Sequence, residues 1–269
     1  MRRQFALLAT LALVAAVPAQ AQYSIFKPVP HAKMRDLSTD RPDRTESPYT
    51  VDAGHIQVEM DGINYIRDRV DASTVVHGWA IAPVNFKVGV TPRFDLQFVS
   101  EFITGSRVAT PSGNFSEHGV GEMTLRAKLN FWGNDGGTTA FGIMPFVSSS
   151  PFADGRRVQG GVILPLSVEL APNWGLGTMV ETDFVAEEGR AGRSVHTVFS
   201  VTVGHDFSDR LGMFGEIFSE SSKGPWVGTA DFGTTFAITP NVQIDGGANI
   251  GISRAADGVN PFLGLSIRF

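Results

Sequence analysis

The 269-residue chain contains no cysteine, which excludes a disulfide framework, a cysteine-ligated zinc or iron–sulfur site and a thiol nucleophile. Charge is also sparse, because Asp, Glu, Lys and Arg together make up only 18% of the residues. The formal net charge of −5 offers no basic surface of the kind that binds nucleic acid. Nucleic acid is therefore not an expected partner.

Long hydrophobic runs are missing as well, since no stretch beyond Pro18 could form the roughly 20-residue helix that crosses a membrane. The beginning of the chain has a different pattern. A basic start at residues 1–3 precedes an apolar run at 5–17 and the small-residue sequence Ala19-Gln20-Ala21. This order predicts a secretory signal peptide over residues 1–21, because the apolar run is too short for a transmembrane anchor.

What the chain does contain is alternation of apolar and polar residues. Phe94, Leu96 and Phe98 alternate with Asp95 and Gln97, and the same period of two recurs in most later segments. Successive side chains of a β-strand point to opposite faces, so this period predicts strands with one apolar face and one polar face. No comparable helical periodicity is present in the sequence.

The alternation predicts twelve strands, joined alternately by short turns and longer connections such as 104–117 and 149–158. The predicted strands lie near residues 55–66, 75–90, 93–103, 118–132, 138–148, 159–170, 174–185, 194–206, 211–220, 226–238, 242–252 and 261–269. An even number of strands with this alternation of connections is typical of outer-membrane barrels. The sequence therefore predicts an all-β fold: a single transmembrane antiparallel up-and-down β-barrel of about 12 strands over residues 54–269, preceded by a periplasmic segment at 22–53. A soluble exported β-sandwich is the main structural alternative.

The last predicted strand is apolar at every second residue and ends on the aromatic Phe269. This ending looks like the terminal assembly signal of outer-membrane barrels, although an ordinary amphipathic edge strand has the same alternation. With the signal peptide, it predicts the outer membrane of a Gram-negative bacterium as the location. The expected partners are outer-membrane lipid, the barrel-assembly machinery and a small-molecule solute, and the oligomeric state is open.

A distinctive motif precedes the first strand. It comprises Asp40, Arg41, Pro42, Asp43, Thr45, Glu46, Ser47 and Pro48, and is followed by Thr50-Val51, Gly54, Gln57 and Glu59. The motif resembles the opening of the "MetA-pathway of phenol degradation" family, in which an Asp-Arg-Pro-Asp-x-Thr-Glu-Ser-Pro run stands at this place. The resemblance implies an outer-membrane barrel associated with uptake of aromatic or other small organic compounds, and it brings no established catalytic residues.

The charges of the motif allow two interpretations. Acidic residues alternate with Arg41 and Arg44, while Pro42 and Pro48 prevent a helix. The segment either folds into the periplasmic mouth as a plug or latch that pairs with lumen charges, or it trails into the periplasm as a solvated leader. Calcium binding by its acids is a third hypothesis, against which the missing loop spacing and the missing glycine argue.

The polar faces of the predicted strands define a charged lumen. The candidate lumen residues are the acids Glu59, Asp61, Asp95, Glu101, Glu122, Glu169, Glu181, Asp183, Glu216, Asp231 and Asp245 and the bases Lys87, Arg126, Lys128 and Arg268. Ionisable residues are tolerated inside a barrel, whereas Lys or Arg facing lipid at the midplane costs roughly 2–4 kcal/mol. These charges either pack against one another and fill the barrel or give a constricted channel its selectivity.

The sequence thus predicts a channel for passive passage of small solutes, with no enzymatic activity, cofactor or metal site. One alternative is a non-conducting structural or adhesive barrel that acts through its long loops, above all 104–117. Another is a lipid-modifying barrel enzyme. His196 and Ser200 share a strand face, but residues four apart on a strand are about 13 Å apart, too far for proton transfer.

Overall fold

The computed structural model describes residues 22–69, 74–149, 158–187 and 192–269, so the predicted signal peptide lies outside the described residues. A single-turn 3-10 helix at His31–Lys33 precedes the sheet. The strands are β1 (Ile56–Arg69), β2 (Val75–Thr91), β3 (Phe94–Thr110), β4 (Gly113–Gly119), β5 (Met123–Trp132), β6 (Thr139–Ser149), β7 (Val158–Ala171), β8 (Trp174–Ala186), β9 (Arg193–Asp206), β10 (Leu211–Ser221), β11 (Val227–Thr239), β12 (Val242–Gly251) and β13 (Val259–Arg268).

The strands close into an antiparallel barrel. Each strand pairs with its neighbours in sequence, except around β4, and β1 closes the sheet against β13, where Gln57 lies opposite Arg268. Phe269 continues this closure, since its backbone N–H donates to the carbonyl of Ile56 at 2.8 Å. The prediction of an up-and-down barrel with twelve strands around its wall is confirmed.

The region around β4 departs from the predicted strands. We expected a long loop at 104–117 followed by one strand at 118–132, but β3 continues to Thr110 and pairs with β4 to form a hairpin. The first part of β3, residues 94–100, pairs instead with β5. β4 and β5 therefore share one position in the wall. The expectation of a loop was wrong because Pro111 and Ser112 form a tight turn within a paired ribbon, and few side chains of this ribbon are apolar.

The two faces of the wall have opposite polarity. Side chains such as Leu125 (59% exposed) and Leu263 (64% exposed) cover the outside, while Glu59, Asp95 and Lys128 on the inside are at most 2% exposed. A soluble sandwich would bury its apolar faces, so the outward apolar face is inconsistent with that alternative. Within the described residues, no helix is long and apolar enough to cross a membrane.

The two ends of the barrel are distinct. Short turns, such as Pro172-Asn173, lie at one end, where the chain before β1 also packs: the Ile25 N–H donates to the carbonyl of Val90 beside the β2–β3 turn. Asn173 adopts a left-handed backbone conformation with φ of 66°, which asparagine tolerates in a tight turn. The β3–β4 hairpin and the longer connections lie at the opposite end.

Candidate functional site

Residues 35–52, here called the lumen segment, fold into the barrel. They form no helix or strand, and they contact inward side chains of β1, β2, β5, β8, β9, β10 and β12. Pro42 and Pro48 keep the backbone out of a helix, so its polar groups are free to bond with the wall. The segment is therefore surrounded by the barrel rather than extended from it.

Asp40 lies at the centre of a buried ion cluster. Its carboxylate accepts hydrogen bonds from Lys87 at 2.5 Å and from Lys128 at 2.6 Å, and Lys87 also pairs with Glu59. Lys128 is fully buried. Burial raises the pKa of Asp40, but the attraction of Lys128 and Lys87 outweighs it and holds the pKa well below its usual range. Asp40 is thus the shared counter-ion of two lysines on the wall.

Arg41 occupies a second site, formed by three adjacent strands. Asp61 on β1 and Asp245 on β12 flank Gly264 on β13 in one row of the sheet. The Arg41 guanidinium lies over this row, pairs with Asp61 and donates to Asp245 at 2.7 Å. A Cβ atom at position 264 would stand 2.1 Å from a guanidinium nitrogen, so the site requires glycine there.

Arg44 and Thr45 contact the opposite side of the wall, at β10 and β9, and Glu46 returns to β5. Arg44 stacks on the ring of Phe218 at 3.4 Å from its centroid, and its backbone N–H donates to Glu216 at 2.8 Å. Thr45 shares a hydrogen bond of 2.6 Å with Ser200. Arg126 on β5 donates to Glu46 at 2.5 Å. The segment therefore bridges the lumen, because its residues contact strands on opposite sides of the barrel.

Asp43 differs from Asp40 in having no lysine partner among the described residues. Burial and the nearby carboxylate of Glu216 raise the pKa of Asp43 well above its usual value. Asp40 and Asp43 thus have opposite pKa shifts although they are three residues apart, because only Asp40 has lysine partners. For the calcium hypothesis, Asp40 and Glu46 are already paired with basic side chains, and no group of three His, Asp or Glu in the described part of the chain is placed to hold a metal ion.

The segment is also fixed at the short-turn end. Asp52 pairs with Arg35 at 2.8 Å and with Arg268 at 3.4 Å, which ties its two ends to β13. The Val51 N–H donates to Asp95 at 3.0 Å. A Cβ atom at Gly89 would stand 2.1 Å from the carbonyl oxygen of Asp52, so the segment passes directly against β2. Entry and exit therefore lie at the same end of the barrel.

The structure brings nine of the candidate lumen residues against the lumen segment, namely Glu59, Asp61, Lys87, Asp95, Arg126, Lys128, Glu216, Asp245 and Arg268. The other six have different surroundings. Glu122 accepts from Gln159 at 2.6 Å, Asp231 accepts from Thr229 at 3.0 Å, Glu169 is exposed, Glu181 and Asp183 share one face of β8, and Glu101 lines a cavity at the long-loop end.

One feature of the lumen was missed from the sequence. Met144, Ile163, Met179, Val198 and Phe218 form an apolar cluster, with Phe146 packed against it. The pairing of Ile163 with Glu181 and of Met179 with Ser200 places these side chains on the inward face. They were overlooked because the inward face was identified by its charges. The sequence did hold a signal for their position: Ile163 is an even number of residues from Ser167 and Glu169 on β7, so it lies on the same face of the strand.

Open space lies above and below the lumen segment. A cavity of about 620 Å³ at the long-loop end is here called the outer cavity, and one of about 220 Å³ between the segment and β7–β10 is called the inner cavity. Two further cavities of about 550 and 670 Å³ lie at the short-turn end, on either side of Arg35 and Asp36. The segment therefore narrows the lumen and leaves space at both mouths.

Comparison with known proteins agrees with this geometry. The model of the family described as "Putative MetA-pathway of phenol degradation" matches residues 39–269. Among solved structures, the chain is similar to the COG4313 outer membrane channel from Pseudomonas putida F1, with 13% identity, coverage of 86% of this chain and 100% of the other, and a TM-score of 0.62. It is also similar to the NanC porin, with 11% identity, coverage of 79% and 98%, and a TM-score of 0.52. A search of curated proteins gave no match.

Proposed function

Because the chain belongs to the family described as "Putative MetA-pathway of phenol degradation", we propose that it is an outer-membrane channel for passive passage of small solutes, including aromatic or other organic compounds. The observation that carries this proposal is the lumen: a polar interior with cavities at both mouths, inside a wall whose outer face is apolar. Passive passage needs no cofactor. The similar solved barrels are described as a channel and a porin, in agreement with this function.

The proposal includes the location and assembly of the barrel. The signal peptide at residues 1–21 exports the chain, and β13 together with the terminal Phe269 is read by the assembly machinery of a Gram-negative outer membrane. The short turns then face the periplasm, and the β3–β4 hairpin faces the outside, as in other outer-membrane barrels. Outer-membrane lipid contacts the outward apolar side chains such as Leu125 and Leu263.

The lumen segment acts as a plug that controls access. Its ion pairs at Asp40, Arg41 and Glu46 join it to strands around the wall. A solvated leader would expose these charges to the periplasm, whereas Asp40 is only 9% exposed and its partner Lys128 is fully buried. Buried charges are retained only when they are paired, so the plug explains both the lumen charges and the motif.

Conduction is proposed in preference to catalysis. Ser200, considered above as an enzymatic hydroxyl, shares its hydrogen bond with Thr45 of the lumen segment. His196 instead lies 3.3 Å from both Ser194 and Glu220 at the outer end of the lumen. A phospholipid hydrolysis assay of the refolded protein tests for enzymatic activity. The wild type is expected to release no more fatty acid than a Ser194→Ala variant. Release that depends on Ser194 would make the barrel an enzyme.

The channel proposal is tested by single-channel recording of the refolded mature chain in a planar bilayer, with the reversal potential measured in a salt gradient. Discrete conductance steps are expected. A barrel that migrates as folded on a gel before heating, yet shows no steps, would contradict the proposal and favour the structural or adhesive alternative. The same preparation after thermal unfolding serves as the control.

A further inference from the structure

The lumen segment fills the barrel unevenly. Asp40 and Arg41 contact β1, β2, β5 and β12, and ion pairs occupy that side of the lumen. On the side of β7–β10 the segment touches the wall through Arg44, Thr45 and Glu46, and the inner cavity leaves free space beside these contacts. The free space beside the seated segment therefore lies along β7–β10.

Inward glycines create the free space of the inner cavity. Gly175 on β8 pairs with Gly204 on β9, and both line the cavity. A Cβ atom at Gly175 would meet nothing within 4 Å, and at Gly204 the nearest atom would be 3.7 Å away. Larger side chains at these two positions would occupy the cavity without displacing the protein around them.

The inner and outer cavities meet at one residue of the segment. Asp43 lines both of them, whereas Arg44 lines only the outer cavity and Thr45 only the inner one. Just beside this place the lumen is tight, because a Cβ atom at Gly177 would stand 2.8 Å from Thr202 and 3.4 Å from Thr45. Asp43 therefore stands between the two cavities.

We infer that solutes cross the barrel with the lumen segment still seated, along the glycine wall of β8 and β9, and that Asp43 is the constriction between the outer and inner cavities. This inference rests on the proposed channel function and adds the route. The volume of about 220 Å³ also sets a size limit, since a cavity of about 150 Å³ holds a benzene ring. The route admits single-ring solutes one at a time.

Because the chain has no native cysteine, a single introduced thiol reports its own surroundings. Gly175→Cys and Gly204→Cys place a thiol on the route. Gly215→Cys is the matched control, because a Cβ atom there also meets nothing within 4 Å, but its pairing with Val203 and Phe232 places it on the outer face. A cationic methanethiosulfonate reagent is added to each variant during single-channel recording.

Modification of Gly175→Cys or Gly204→Cys should at least halve the conductance, and the reagent should leave Gly215→Cys unchanged. Unchanged conductance in both lumen variants, after mass spectrometry has shown that the thiols are modified, would overturn the route. Two lumen variants are used so that a folding defect in one leaves the other to decide. If the wild type conducts while both modified lumen variants keep their conductance, the channel function stands and only the route is overturned. A folded wild type that shows no conductance would overturn both the channel function and the route.

A locked segment tests whether the route needs movement. The hydroxyls of Thr45 and Ser200 are 2.6 Å apart, so the double variant Thr45→Cys/Ser200→Cys can form a disulfide that ties the segment to β9. The oxidised protein should conduct as well as the same protein after reduction. Loss of conductance on oxidation, restored by dithiothreitol, would show that the segment must leave the lumen and would overturn the inference.

Discussion

The guanidinium of Arg41 lies directly over Gly264, in a space that any side chain at that position would fill. The two flanking acids, Asp61 and Asp245, come from different strands and meet here only because β1 and β12 both pair with β13. Seating of the lumen segment and closure of the barrel therefore depend on the same three strands. The absence of a Cβ atom at position 264 is part of the binding site for the segment.

Gly264→Ala should unseat Arg41 and raise the single-channel conductance. The added methyl group overlaps the guanidinium, so the loss of its buried pairs should cost up to about 3 kcal/mol in the free energy that holds the segment. Gly62→Ala is the control, because its Cβ atom would meet nothing closer than 3.6 Å. Equal conductance of the two variants would argue against the Arg41 site.

Asp40→Asn should destabilise the barrel more than most single substitutions. It leaves Lys87 and Lys128 buried without their shared counter-ion, and breaking a buried ion pair in this way costs about 3–5 kcal/mol. The loss of stability is measured by thermal unfolding, with the gel shift of the folded barrel as the readout. The double variant Asp40→Asn/Lys128→Met should recover part of the loss, and additive effects of the two changes would contradict a direct coupling.

Asp43→Asn should stabilise the protein, increasingly so as the pH rises. Burial and Glu216 raise the pKa of Asp43, so its neutral form is favoured in the folded barrel. Stability from this group is fully present below the pKa of an exposed aspartate, about 4, and is lost at up to about 1.4 kcal/mol per pH unit as the pH rises towards the raised pKa. The asparagine variant avoids this loss.

The difference in Tm between Asp43→Asn and the wild type should therefore be small at pH 4 and larger at pH 8. Asp209→Asn, at an exposed turn residue, is the matched control. Its Tm should differ little from that of the wild type at both pH 4 and pH 8. A difference for Asp43→Asn that does not depend on pH would count against a raised pKa of Asp43.

The fold could be predicted from the sequence because its signal is repeated in nearly every strand of the wall. Outward residues such as Phe98 and Phe199 alternate with polar neighbours over the whole chain, and the lipid-facing side cannot tolerate charge. The β3–β4 hairpin could not be predicted in the same way. Among the described strands, β4 pairs only with the last part of β3, and its side chains lack the strict alternation that a membrane imposes.

The contacts of the lumen segment were harder to predict from the sequence than the fold. The parity of each strand placed Lys128 inside the barrel, and the structure places it there, but fully covered by Asp40 of the lumen segment. Lys128 is therefore a residue of the wall that binds the lumen segment. The path of residues 35–52 depends on contacts with distant strands, and no local pattern encodes such contacts. Register alone would have revealed the inward position of Phe218, which pairs opposite Ser200.

The most direct test of the plug is to compare the single-channel conductance of the mature chain with that of a variant lacking residues 22–48. The deletion removes Asp40, Arg41 and Glu46, and with them the ion pairs that hold the segment across the lumen. A several-fold higher conductance in the deletion variant is expected, because the cavities at the two mouths would merge into one wide pore. A conductance equal to or below that of the full mature chain, in a barrel shown to be folded, would contradict the plug.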